Sequence, residues 1–156
     1  MLRIEVPGRQ PFEFKHLVCD FNGTLACDGS LLPGLADRIR RLSASMEIHI
    51  ITADTFGRTA QEVGDLPVTL TILAPENQDQ GKHDYIQQLG AGACVCLGNG
   101  RNDKLMLEHA ALGICIIDSE GTCKDTLLSG DVICRTPTDA LDLLVQPKRL
   151  MATLRN

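Results

Sequence analysis

Tryptophan is absent from this chain of 156 residues, and one tyrosine with four phenylalanines supplies all of its aromatic side chains. Little is available to stack on bases, and a formal net charge of −5 leaves no basic stripe to follow a phosphate backbone, so a nucleic-acid partner is not expected. Long hydrophobic runs are missing too. None approaches the roughly 20 residues that a membrane-spanning helix needs, and Met1-Leu2-Arg3-Ile4-Glu5-Val6 has no apolar centre of a secretory leader. The expectation is a soluble, cytoplasmic protein without a membrane partner, in which the sequon Asn22-Gly23-Thr24 carries no sugar. Cysteine is not scarce, but its number, seven, is odd, and Cys19, Cys94, Cys96, Cys115 and Cys134 fall inside apolar runs, where a free thiol acts as a small hydrophobe. Reduced thiols are expected. Cys94 and Cys96, two apart on one strand face, are poorly spaced for a zinc pair.

The length fits one compact domain over residues 1–156. Short runs rich in Ile, Val, Leu and Cys recur at 15–20, 47–52, 67–73, 93–98, 113–118 and 131–134. Most are too continuous to be half-exposed and read as parallel strands buried on both faces. Between them lie helical stripes: Leu35, Ile39 and Leu42; Tyr85, Ile86 and Leu89; Leu105, Met106 and His109. Strand and helix alternate, which predicts a three-layer α/β, Rossmann-like fold with right-handed crossovers. Thr136-Pro137-Thr138-Asp139 reads as a helix start with Thr136 as cap, and Pro147 ends that helix. The basic, amphipathic stretch after it is expected to pack on the body through Leu150 and Leu154. Glu76 to Gly81 is the most polar loop.

One run ends on chemistry. His16-Leu17-Val18-Cys19 leads into Asp20-Phe21-Asn22-Gly23-Thr24-Leu25, and a carboxylate at the carboxyl end of a buried strand lies where open α/β sheets bind ligands. Asn22-Gly23 also fits a hairpin turn, and this window leaves both readings open. Three further polar groups follow in order beside other runs: Thr52, Lys82, and Asn99 to Asp103.

This ordered set resembles the haloacid dehalogenase superfamily, whose first motif is Asp-x-Asp-Gly-Thr. A Thr or Ser ends the second strand of that family, a Lys follows, and an acidic Gly-Asp-Gly-x-x-Asp loop comes after the fourth strand. Here the counterparts are Asp20-Phe21-Asn22-Gly23-Thr24, Thr52, Lys82 and Gly98-Asn99-Gly100-Arg101-Asn102-Asp103, spanning residues 16 to about 135. More narrowly, the 98–103 loop and the stretch from Leu141 to Arg155 look like a small soluble P-type-ATPase-like group. The resemblance implies a Mg²⁺-dependent phosphatase-type hydrolase in which Asp20 forms an aspartyl phosphate. Catalytic roles fall on Asp20, Asn22, Thr52 and Lys82, and substrate contacts on Gly23, Thr24, Thr52, Ala53, Lys82 and Asn102. Asp20, the Asn22 carbonyl, Asn99 and Asp103 form the implied metal site, an oxygen-rich set that suits Mg²⁺.

Two departures temper that activity. The second carboxylate of the first motif is here Asn22, which does no acid/base work, so turnover is expected to be slow. Asn99 replaces a metal-binding Asp; Asp54, Asp28 and Asp84 are close enough in sequence to compensate, although surface solvation is the expected role of each. An alternative follows: a catalytically weak domain that binds phosphate or a phosphorylated partner in a regulatory role. The intervals from Thr24 to Leu35 and from Thr52 to Lys82 leave no room for a cap domain. An open mouth implies a large, macromolecular phosphorylated substrate or a homo-oligomer whose neighbour covers Asp28–Ser30 and Thr55–Gly57, with Phe56 either the exposed apolar residue there or part of the core.

Overall fold

In a computed structural model that describes residues 1–156, the first 31 residues form two hairpins around one central strand. Strands β1 (Leu2–Ile4) and β2 (Phe12–Phe14) pair antiparallel; β3 (His16–Cys19) enters the core, and β4 (Ala26–Cys27) and β5 (Ser30–Leu31) make the second hairpin. Then come α1 (Leu35–Ser43), β6 (Glu47–Thr52), α2 (Thr59–Val63), β7 (Thr69–Ile72), α3 (Gln78–Leu89) and β8 (Cys94–Gly98). The chain closes with α4 (Lys104–His109), β9 (Leu112–Ile116), α5 (Lys124–Leu127), β10 (Val132–Cys134), α6 (Pro137–Val145) and α7 (Pro147–Leu154). No helix is long and apolar enough to cross a membrane.

The main sheet runs β10-β9-β8-β3-β6-β7, and every neighbouring pair is parallel. Its two faces follow from the period-2 alternation of strands. Leu17, Cys19, Ile48, Ile50, Val95 and Leu97 join one core cluster with Leu35 and Ile39 of α1 and Leu141 and Leu144 of α6. Val18, Ile51, Cys94 and Cys96 face the other way, onto Ile86 of α3 and Met106 and Leu107 of α4. This is the expected three-layer α/β sandwich. The edge strands β7 and β10 are the exceptions to two-sided burial, with Ile72 and Ile133 exposed. Thr136 caps α6 as expected, its hydroxyl accepting the Asp139 N–H at 3.0 Å. Leu150 is buried against the core and Leu154 packs beside it.

The β1–β2 and β4–β5 hairpins and the five-residue α2 are not visible in the sequence pattern, because they are too short to show a period. Asn22-Gly23 serves neither reading alone. Gly23 takes a left-handed backbone (φ +77) after β3, and its N–H bonds to the Ala26 carbonyl at 2.8 Å, so the turn also leads into the small hairpin.

Candidate active site

Parallel strands that share a register end together, and β3, β6 and β8 release Asp20, Thr52 and Asn99 at one edge of the sheet. Asp20 is tied to its neighbour by its N–H, which donates to the Leu97 carbonyl at 2.9 Å. Lys82 arrives from the first turns of α3. Its Nζ donates to Asp20 Oδ1 and to Asp103 Oδ1, both at 2.6 Å, and it is fully buried. A buried ammonium persists only when paired, and here two carboxylates hold one cation. Asp103 is equally enclosed; its other oxygen accepts the Asn99 and Gly100 N–H groups at 3.0 and 2.9 Å. Both oxygens of Asp103 are therefore engaged.

The charge count sets the protonation chemistry. Burial, then repulsion from Asp103, pushes the Asp20 carboxyl up to about 6, against the lowering effect of Lys82. Burial pulls Lys82 down, but the two carboxylates outweigh it and hold the ammonium above its ordinary value. The two shifts have different causes: burial leads for Asp20, and the pair of carboxylates leads for Lys82. At neutral pH Lys82 is charged and Asp20 is ionised, with an excess of negative charge facing the cavity.

Thr24 lies within 3.3 Å of Asp20 Oδ2 and 3.2 Å of Asn99 Oδ1 through its buried hydroxyl. The Asn99 amide donates to the Gly121 carbonyl at 2.8 Å. This packing requires glycine twice. A Cβ on Gly23 would collide with the Asn99 amide, and one on Gly98 would fall within 2.5 Å of the Asp103 side chain. A cavity of ≈ 320 Å³ opens here, lined among others by Asp20, Asn22, Thr52, Ala53, Asn99 and Asn102. Asn22 Oδ1 is buried and has no hydrogen-bond partner.

The structure thus brings Asp20, Asn22, Gly23, Thr24, Thr52, Ala53, Lys82, Asn99, Asn102 and Asp103 to one place. The compensating carboxylates are elsewhere. Asp54 Oδ1 accepts the Thr59 hydroxyl at 2.6 Å and the Arg58 and Thr59 N–H groups at 3.1 Å, which caps α2 and holds its carboxyl below the usual range. Asp84 accepts from Gln80 at 2.7 Å on the exposed side of α3, and Asp28 lies out at the mouth, where its N–H donates to Glu120 at 2.7 Å. Phe56 is exposed at that mouth and would meet any Cβ placed on Gly29, so the 28–30 and 55–57 segments do meet there.

Sequence reasoning missed three supports. Gln78 Oε1 accepts the Asn102 amide at 2.8 Å, Thr126 donates to the Gly100 carbonyl at 2.8 Å, and Gly121 receives Asn99. Each acts across a gap in sequence that no local pattern spans.

No family model matches the chain. It is 48% identical over 62 residues to the uncharacterized protein MJ0073 of Methanocaldococcus jannaschii, a match covering 40% of this chain and 67% of that protein. Among solved structures, it is similar to a 3-deoxy-D-manno-octulosonate 8-phosphate phosphatase from Moraxella catarrhalis, in complex with magnesium, phosphate and the KDO molecule. There the TM-score is 0.67 and the identity 17%, over 90% of this chain and 92% of that one. A protein described as a HAD superfamily (subfamily III A) hydrolase from Legionella pneumophila gives a TM-score of 0.70 at 17% identity, over 90% and 87%. The fold is that of the haloacid dehalogenase (HAD) superfamily.

Proposed function

Given that the chain belongs to the same family as protein MJ0073 of Methanocaldococcus jannaschii and has a HAD-like fold, we propose that it is a slow phosphatase-type hydrolase working through Asp20. The observation that carries the reading is Lys82 bridging Asp20 and Asp103, both at 2.6 Å, beneath a polar cavity at the carboxyl ends of the strands.

Asp20 attacks phosphorus through a carboxylate oxygen, forming an aspartyl phosphate as the bond from phosphorus to the leaving-group oxygen breaks. That oxygen takes its proton from water, because the Asn22 amide is not an acid. Water then attacks the aspartyl phosphate, again without a general base, and releases phosphate and free Asp20. Lys82 keeps Asp20 ionised and oriented, while Thr52 lines the cavity for the transferred phosphoryl oxygens. Both half-reactions lack acid/base help, so substrates with good leaving groups are favoured. The lack of a carboxylate at position 22 parallels P-type ATPases and supports the soluble P-type-ATPase-like resemblance.

The donor set fits Mg²⁺. The Asn22 oxygen without a partner, the Asp20 carboxylate and the Asn99 amide oxygen are all hard oxygen donors around one cavity. Asp20, Asn22 and Asn99, which line the cavity, would hold the ion, and Asp103, fully buried beneath it, contributes charge. When bound, Mg²⁺ neutralises phosphoryl charge. Seven free thiols, five of them buried, suit a reducing cytoplasm. The substrate is a phosphorylated molecule whose phosphoryl end fills the cavity and whose remainder passes Phe56.

The deciding experiment measures phosphate release from aryl and acyl phosphates with saturating Mg²⁺. Asn22→Asp should raise turnover by roughly 10²- to 10⁴-fold, and Asp20→Asn/Asn22→Asp should abolish the gain. A second reading, a regulatory phosphate-binding domain, is favoured by Asn99, whose amide is built into the Thr24 and Gly121 contacts. Phosphate binding without any gain from Asn22→Asp would establish that reading instead.

A further inference from the structure

The opposite end of the same sheet carries a second cluster. His16 begins β3 and is in register with Glu47, the first residue of β6, while His49 lies two residues further along β6. Strand alternation therefore puts His16, Glu47 and His49 on one face, the face that α3 covers. Their donor atoms converge. His16 Nδ1 is 3.1 Å from His49 Nε2 and 3.4 Å from Glu47 Oε2, and the third edge, His49 Nε2 to Glu47 Oε2, is 3.7 Å. A tetrahedral cation with bonds of about 2.0–2.1 Å sets its ligand atoms about 3.3–3.4 Å apart, and the three edges bracket that value.

We propose that His16, Glu47 and His49 form a binding site for a divalent transition-metal cation of the zinc class, with its fourth position open to water. One hydrogen bond between the two imidazoles accounts for a single edge of the triangle; the Glu47 carboxylate approaches both nitrogens without hydrogen-bonding to either. A metal satisfies all three. Two imidazoles and a carboxylate favour zinc-like ions over Mg²⁺. The outer support is also present: His49 Nδ1 lies 2.9 Å from the Tyr85 hydroxyl of α3, the contact that fixes ring orientation in metal-bound histidines. His49 is buried while Glu47 is exposed, and a cleft of ≈ 430 Å³ lined by Lys15, His16, Ser43, Ser45 and Glu47 reaches the open side. His16 precedes Asp20 by four residues, roughly 13 Å of strand, so this site is separate from the proposed phosphoryl site.

The test is equilibrium dialysis of untagged full-length protein against micromolar Zn²⁺, with Co²⁺ absorption reporting tetrahedral ligation. One ion per chain is expected. His16→Ala should weaken binding at least about 100-fold and Glu47→Gln or Tyr85→Phe about 10-fold, whereas Asp20→Asn should leave it unchanged. Because Glu47 is exposed, Glu47→Gln keeps the fold and decides the matter if His16→Ala does not fold. Wild type that binds no Zn²⁺, Glu47→Gln that binds as tightly as wild type, or binding lost in Asp20→Asn would each overturn the site. None of these readouts depends on phosphatase activity.

Discussion

Two buried carboxylates on one ammonium make an unusual demand on stability, and Asp20→Asn tests it directly. In the open chain an Asp ionises near about 3.9; in the fold Asp20 is pushed up to about 6. At 1.36 kcal/mol for each pH unit, the folded protein resists that ionisation by roughly 3 kcal/mol. A carboxyl raised in the fold contributes stability below its open-chain value and loses it as pH rises through the folded one, here between about pH 4 and pH 6. Asn22 and Asn99 already spare the site two further charges. Asp20→Asn leaves Lys82 paired with Asp103 alone, at 2.6 Å. The variant should therefore match wild type near pH 4 and exceed it by roughly 3 kcal/mol above pH 7, or roughly 6–12 °C in melting temperature for a chain of this size. Lys82→Met should do the reverse, costing about 3–5 kcal/mol by leaving two buried carboxylates without a cation. Scanning calorimetry at both pH values in EDTA reads these differences. An Asp20→Asn protein no more stable than wild type at pH 7.5, or equally stabilised at both pH values, would refute the charge count.

Gly23→Ala should destabilise by about 2 kcal/mol, from the left-handed backbone at φ +77 and the collision with the Asn99 amide; urea unfolding measures it. Thr136→Ala should cost about 1 kcal/mol through the lost cap on the Asp139 N–H, read by the same method. Hydrogen bonds from Arg38, at 2.7 and 3.1 Å, hold the Asp142 carboxyl below its usual range and join α1 to α6. Asp142→Asn should lower the melting temperature at neutral pH. The difference should shrink as the pH falls below about 4, where the wild-type carboxylate itself takes up a proton.

Periodicity determined the layers of this protein. Continuous apolar runs such as Ile48 to Ile51 and Val95 to Leu97 have no stable place except between two helical layers, so the α/β sandwich and six strands were legible from the chain. The strand-terminal polar residues Asp20, Thr52 and Asn99 were legible too, because parallel strands in register must end at one edge. The small hairpins and α2 were not, since two to five residues are shorter than any period. Only the tertiary structure could decide which charges meet. Lys82 lies 62 positions from Asp20 and 21 from Asp103, and whether it is a solvated helix residue or a fully buried bridge depends on how α3 crosses the sheet. The same crossing turns Tyr85, one stripe residue among several, toward His49 at 2.9 Å. His16, Glu47 and His49 lie in two separate apolar runs; they become a cluster through the register of β3 against β6. Local pattern determines what each segment becomes, while contacts between distant segments depend on packing that no window of sequence contains.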